Sequence, residues 1–453
     1  MQRPFRTLVL AAIAAVAVVA APAAQAETLA DALVAAYRTS NLLEQNRATL
    51  RAADEDVAGA VAALRPVLSW AAAASYRNAD GIESDSATLS LNAQMTLLDF
   101  GRNKIAVEAA KEAVLATRES LLAVEQDVLL AAIRAYTNVK STSENVAINQ
   151  NSVRVIGEEL RAANDRFSVG EVTRTDVALA EARLAAARAG LAAAQGALAS
   201  AREAYKASTG AYPGSLAPLP AGPRLPATLA EAIATAQRTH PSIRQAQRQV
   251  TLAELQVTAA ATERMPTLSG TASISRSDTG GDTSTLGLSM SQTIYSGGRL
   301  SSAHRKALAG RDRARAGLLQ TTTTIGQNAA NSWASIEVAR AQIRAIEQQV
   351  SAATVAYNGI REEATLGART TLDVLDAEQE LLRAQADRID AEASLQVAIY
   401  SLLSSMGLLT AERLNLGVPI YDPAAYYNAV RNAPLTSVQG ESLDRVLRAI
   451  GKN

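Results

Sequence analysis

One sequence unit is used twice along the chain. The segment Thr28-Leu29-Ala30-Asp31-Ala32 returns as Thr228-Leu229-Ala230-Glu231-Ala232, and the match runs through Arg38-Thr39 and Arg238-Thr239 to Pro66 and Pro266. Beyond these prolines it resumes with three residues fewer in the second copy. Thr96-Leu97-Leu98-Asp99-Phe100-Gly101-Arg102 aligns with Thr293-Ile294-Tyr295-Ser296-Gly297-Gly298-Arg299, and Gly170, Asp176-Val177 and Gly210 align with Gly367, Asp373-Val374 and Gly407. The plain reading is a gene duplication, with the three-residue slip in a loop that tolerates it.

Proline marks the boundaries. None occurs from Val67 to Tyr212 or from Thr267 to Val418, whereas Pro213, Pro218, Pro220, Pro223 and Pro226 crowd the junction. This divides the chain into a first repeat (27–212), a linker (213–227), a second repeat (228–408) and a tail (409–453), where prolines and tyrosines signal irregular structure or a short cap. Residues 1–26 read as a signal peptide: Arg3 and Arg6, an apolar stretch from Leu8 to about Ala20, then Ala24-Gln25-Ala26 before the cleavage point. No later stretch has the ~18 apolar residues that a transmembrane helix needs.

Within each repeat most of the chain has helical spacing. Leu121, Val124, Val128, Leu129, Ala132, Ile133, Tyr136 and Val139 form one stripe at intervals of three and four. Helices are expected over about 102–167, 176–208, 299–363 and 372–406. At ~1.5 Å per residue the first is about 100 Å long, more than a compact domain can hold. Two regions switch to a period of two. Leu89, Leu91, Ala93, Met95 and Leu97 alternate with Ser90, Asn92, Gln94 and Thr96, and Leu286, Leu288, Met290 and Ile294 alternate with Thr285, Ser289, Ser291 and Thr293. With partners at 67–79 and 267–278, they make strands at about 86–98 and 284–295, whose alternation puts lipid on one face and water on the other. Asp80-Gly81 and Gly280-Gly281-Asp282 supply the turns. Four strands with open edges cannot sit in lipid, so at least two chains must pool theirs. The strand count does not choose between two and three.

Strand pairs set between very long helices, duplicated behind a signal peptide, resemble the TolC family of outer-membrane channels. The most specific parts are Leu98-Asp99-Phe100-Gly101-Arg102 with Tyr295-Ser296-Gly297-Gly298-Arg299, and Leu366-Gly367-Ala368-Arg369-Thr370-Thr371-Leu372-Asp373-Val374-Leu375-Asp376-Ala377 with its counterpart from Phe167 to Val177. The resemblance implies a mainly α protein with membrane β structure: a homotrimer whose twelve-stranded barrel in the outer membrane continues into a long α-helical barrel across the periplasm. It implies a periplasmic adaptor and an inner-membrane transporter as partners, drugs or secreted proteins as cargo, and no catalysis. With no cysteine in the chain, N-terminal lipidation is excluded and the non-lipidated branch is favoured.

The same resemblance assigns roles at the helix-hairpin tips. Asp373 and Asp376 correspond to an inward acidic pair at the channel constriction; their spacing of three puts both on one helix face, and converging carboxylates would attract cations. The competing assignment for Asp373 is a helix cap, because Asp176 holds the same place in the first copy. Asp376 has no acidic counterpart, since Leu179 aligns with it. Thr175, Asp176 and Arg369 correspond to a latch between hairpins, although the tyrosine expected before the turn is Ala364, which implies a leakier or differently fastened closed state. Val169, Gly170, Leu366 and Gly367 are the candidate adaptor-docking tips, with left-handed turns expected at both glycines.

Charge and composition narrow the alternatives. Lys and Arg total 44 against 44 Asp and Glu, which gives no reason to expect nucleic acid. With no cysteine, isolated His240 and His304, and no nucleophile motif, neither an enzyme site, a metal centre nor a cofactor is implied. A periplasmic coiled-coil adaptor without a pore is the main competing class, but it would not need two amphipathic strand pairs inside its helices.

Overall fold

A computed structural model describes residues 26–79, 82–220, 222–278, 280–434 and Arg445. The signal peptide up to Gln25 and the Asp80-Gly81 turn lie outside these residues. The elements run α1 (Leu29–Thr39), α2 (Asn41–Ala62), β1 (Val67–Ala79), β2 (Ile82–Leu98), α3 (Arg102–Ser168) and α4 (Arg174–Thr209), then α5 (Leu229–Thr239), α6 (Pro241–Thr262), β3 (Thr267–Ser277), β4 (Gly281–Ser291), α7 (Arg299–Thr365) and α8 (Thr371–Ser405). A short α9 (Pro423–Val430) follows in the tail. The order α-α-β-β-α-α occurs twice, and α3 and α7 are each 67 residues long.

The strands form one antiparallel sheet in the order β1-β2-β3-β4. Its register carries the duplication: Val67 faces Gln94 as Thr267 faces Ser291, so the three-residue difference is absorbed at the hairpin tips. Side chains directly opposite share a face. Leu68, Ala93, Ala272 and Leu286 form one apolar row across all four strands, and Ser69, Asn92, Ser273 and Thr285 form a polar row on the other face. Leu286 is 87% exposed and Trp70 73%.

Three strand ends differ from the periodicity by three residues or more, the first being the start of β4 at Gly281 rather than 284, where pairing with β3 continues to Ser277. β2 begins at Ile82 rather than 86, because its pairing with β1 continues to Ala79. β4 stops at Ser291 rather than 295, although its alternation runs on to Ile294. The equivalent end of β2 is held by β3, through Met95 opposite Gly270 and Leu98 opposite Leu268. β4 has no second neighbour among the described residues, so nothing holds its last turn of strand.

Below the sheet the helices lie side by side in the order α2, α3, α6, α7, and further down α4 packs on α3 and α8 on α7. The densest core is at mid-height, where Leu33, Leu129, Ile133, Tyr136, Leu402 and Met406 are buried together. Residues 409–434 strap the outside of α2 and α3. The buried carboxylate of Glu125 accepts from Ala411 N at 2.7 Å, the Tyr426 hydroxyl donates to Glu55 at 2.6 Å, and the Arg47 guanidinium stacks between Tyr37 and Tyr421. His240 stands between α5 and α6, where its Nδ1 accepts from Ser242 N at 3.1 Å. No described helix is long and apolar enough to cross a membrane.

Candidate functional site

Each long hairpin turns on a glycine. Gly170 and Gly367 adopt φ of 82° and 78°, the left-handed conformation that a side chain disfavours. Backbone bonds close both turns in the same way, from Glu171 N to Arg166 O at 2.9 Å and from Ala368 N to Glu363 O at 2.9 Å. Val169 and Leu366, beside the glycines, are 70% and 86% exposed. Two large apolar side chains therefore stand in solvent at one end of the molecule, at equivalent points of the two repeats.

After each turn a threonine starts the return helix. The Thr173 amide and hydroxyl donate to Asp176 Oδ2 at 2.9 and 2.8 Å, while Asp176 N donates back to the Thr173 hydroxyl at 3.3 Å. Thr370 and Asp373 repeat the arrangement with the same three distances. These are reciprocal capping boxes, in which two otherwise orphan amides at each helix start are satisfied. They move the helix starts to Arg174 and Thr371, one or two residues ahead of the aspartate-based expectation. The hydrogen bonds from Thr370, aided by the Arg369 guanidinium, hold the Asp373 carboxyl below its ordinary range. Oδ1 of Asp373 receives no bond among the described residues.

Asp376 is exposed and one turn further along α8. Its Oδ1 accepts from Arg183 of α4 at 2.8 Å, and the same guanidinium donates to Gln379 Oε1 at 2.9 Å. This ties the first hairpin to the second. Arg369 instead donates to Glu363 of its own turn at 2.7 Å, and Thr175 is exposed. Within one chain, then, Asp176 caps a helix and Arg369 braces its own tip, and near the tips Arg183 ties α4 to Asp376 and Gln379 of α8. Arg183 was not singled out from the sequence. It aligns with Glu380, and that loss of matching charge is the signal it offers.

A second residue missed at the sequence level is Glu378. It is only 3% exposed, and neither carboxylate oxygen has a hydrogen-bond partner among the described residues. Glu159 and Arg154 of α3, with Arg361 and Tyr357 of α7, face it. Burial, reinforced by Glu159, pushes its pKa up to about 7. No group of three or more metal-binding side chains occurs among the described residues.

The profile of the family described as "Outer membrane efflux protein" matches residues 32–211 and 232–408, one match for each structural repeat. The chain belongs to the outer membrane efflux protein family. Among curated members of this family, the outer membrane efflux protein BepC of Brucella suis biovar 1 (strain 1330) is 34% identical over 418 residues, covering 90% of this chain and 92% of BepC. The outer membrane protein TolC of Escherichia coli (strain K12) is 27% identical over 64% of this chain and 63% of its own. The same fold is found in the outer membrane channel CmeC of Campylobacter jejuni, with a TM-score of 0.76 at 17% identity over 90% of each chain. It is found again in CusC, with a TM-score of 0.75 at 20% identity over 84% of this chain and 92% of that one. As a member of the family this protein is an outer-membrane efflux and secretion channel component with a long periplasmic helical extension. The glycine tips lie at the opposite end of the long helices from the sheet.

Proposed function

We propose that three copies of this chain join edge to edge into a twelve-stranded barrel, and that the duct they enclose carries drugs or secreted proteins from an inner-membrane transporter to the exterior. The observation that carries this reading is the sheet: an apolar row and a polar row run unbroken across four strands whose two edges, β1 and β4, are unpaired among the described residues. In lipid such edges must find partners. The internal β2–β3 pairing supplies the register. Asn92 faces Ser273, so by the repeat correspondence Ser289 of one copy faces Ala73 of the next. Both cargo classes occur among relatives: BepC is an efflux protein, and PrtF of Dickeya chrysanthemi, 30% identical over 29% of this chain, is a protease secretion protein.

At the other end, the exposed Val169 and Leu366 tips, set by Gly170 and Gly367, are the surface that meets a periplasmic adaptor. Asp373 and Asp376 form the constriction. Among the described residues Asp373 Oδ1 and Asp376 Oδ2 accept no hydrogen bond, so three copies bring three pairs of carboxylates together. The ring is cation-selective as long as it is ionised. Thr175, Asp176 and Arg369 face neighbouring hairpins once the copies assemble, and Arg183 fastens the hairpins within each copy.

The test is block of the reconstituted channel in a planar bilayer by a multivalent cation added to the periplasmic side. Wild-type block is expected to be lost in Asp373→Ala/Asp376→Ala. Undiminished block in that variant would show that the cation binds elsewhere.

A further inference from the structure

The repeat correspondence turns the inside of one chain into a template for the seam between two. Within the chain α3 packs against α6, Arg102, Glu112 and Glu119 reach across to it, and Arg102, Ile105, Ala109, Glu112, Ala116 and Glu119, spaced three and four apart along that side of α3, are all half-buried. The equivalent residues of α7 are Arg299, Ser302, Lys306, Ala309, Arg313 and Ala316, and every one is exposed. The matching side behaves likewise. Arg248, Leu252, Leu255, Ala259 and Thr262 of α6 are half-buried, whereas Ala48, Ala52, Glu55, Gly59 and Ala62 of α2 are exposed. One stripe on α7 and one on α2 are therefore uncovered at the positions that their internal counterparts use for packing. Because β4 of one copy meets β1 of the next, α7 descends beside α2 of that copy, and the two stripes face each other.

Their chemistry is not a repetition of the internal seam. Inside the chain the acids are on α3 and the bases on α6: Arg248 pairs with Glu112 at 3.4 Å, and Arg244 and Arg248 face Glu119. Arg102 also donates to Thr262 O at 3.1 Å, which sets the antiparallel register. In the uncovered seam the same register puts Lys306 opposite Glu55 and Arg313 opposite Glu44, bases on α7 and acids on α2. Among the described residues Lys306 and Arg313 have no ion pair, while Glu44 holds Arg47 and Arg51 of its own helix at 3.5 and 3.4 Å and Glu55 accepts only from the Tyr426 hydroxyl. The apolar contacts are exchanged too: Ile105, Leu252 and Leu255 become Ser302, Ala52 and Glu55.

We propose that this inversion of charge directs assembly, so that the uncovered stripe of α7 docks on α2 of a second copy of this chain and is repelled by the side of α6 that faces α3. An α7 stripe carrying Lys306 and Arg313 meets Arg244 and Arg248 on an α6 face and Glu44 and Glu55 on an α2 face. Like charges disfavour the first pairing and opposite charges favour the second. The order of repeats around the ring must then alternate first, second, first, second. Replacing Ile and Leu by Ser, Ala and Glu also keeps the waiting face free of an apolar patch before assembly. The proposal rests on the edge-to-edge reading of the sheet.

The chain has no cysteine, which makes site-directed cross-linking clean. Ala48→Cys/Ala309→Cys, treated with a short bismaleimide, is expected to give covalent dimers and trimers, because these positions correspond to Arg248 and Glu112. Lys306→Glu/Arg313→Glu is expected to lose trimer in detergent at low salt, and adding Glu44→Lys/Glu55→Lys in the same chain is expected to restore it. All four side chains are exposed or half-exposed, and helix content read by circular dichroism separates loss of assembly from loss of fold. The sheet provides the control, an Ala73→Cys/Ser289→Cys disulfide between copies. If that disulfide forms but the helix cross-link does not, or if charge reversal leaves the trimer intact, the seam proposal is wrong. If neither link forms, the edge-to-edge reading itself has failed.

Discussion

Gly407→Ala is expected to cost roughly 2–5 kcal/mol, enough to remove most of the folded protein, whereas the equivalent Gly210→Ala should cost about 1–2. Both glycines end a long return helix, and both have positive φ, 72° and 86°. What separates them is the neighbour. A Cβ on Gly407 would be 2.7 Å from His240 Cα, 2.9 Å from Thr239 O and 3.0 Å from Pro241 Cδ, all fixed by the α5–α6 corner. A Cβ on Gly210 would meet only the Thr39 side chain, at 3.1 Å. Backbone cannot turn aside, and a threonine side chain can. Thermal midpoints and membrane yield of the two variants provide the measurement. Equal losses would mean that the left-handed conformation alone, and not the corner, sets the cost.

The second large effect is on pH. Glu378 is raised from 4.5 to about 7, so between those values the folded protein holds a proton that the unfolded chain has released. Stability from this group is therefore full below pH 4.5 and falls as pH rises toward 7, by at most about 3 kcal/mol. The charged groups around it do not reverse the sign, because Arg154 and Arg361 oppose a larger burial effect. Asp54, buried between α2 and α3 with neither oxygen bonded among the described residues, is pushed up to about 6 and adds a slope of the same sign. The two are separable. Glu378→Gln should flatten the pH dependence of protection at the hairpin tips, read by hydrogen exchange, and Asp54→Asn should flatten it only near the strap. An unchanged slope in Glu378→Gln would place the titrating group elsewhere.

Much of the architecture could be read from local pattern. Period-two alternation marks the strands because their two faces meet different solvents. The proline-free runs mark α3 and α7, because nothing in them interrupts the hydrogen-bond ladder. What could not be read depends on neighbours. The early end of β4 follows from its having one neighbour, β3, among the described residues. The tie from Arg183 to Asp376 depends on how two hairpins lie side by side, and no spacing along one helix encodes that. The caps fall between these cases: Thr173-x-x-Asp176 and Thr370-x-x-Asp373 are visible in the sequence, but the exact helix start depends on the turn that brings each threonine amide and hydroxyl to its aspartate. Glu378 was legible in principle, since it follows Val374 and Leu375 on the stripe that α8 buries.

The unmatched charges at the tip and along α7 have a common origin. Duplication supplies a ring of similar helices, and divergence between the copies distinguishes one seam from the next and one hairpin from the other. Asp376 against Leu179 and Lys306 against Ala109 are the same kind of event at opposite ends of the tube.

The central claim, that this sheet is one third of a closed barrel, is tested most directly by oxidising Ala73→Cys/Ser289→Cys protein in outer-membrane vesicles. Paired residues of adjacent strands are close enough for a disulfide, at about 4.5–5.5 Å between Cα atoms. The expected result on a non-reducing gel is a ladder of monomer, dimer and trimer that stops at trimer. The slipped pair Ala73→Cys/Met290→Cys, whose side chains point to opposite faces, should remain monomeric. Monomer alone from the first pair, or a ladder from the second, would contradict the barrel as described.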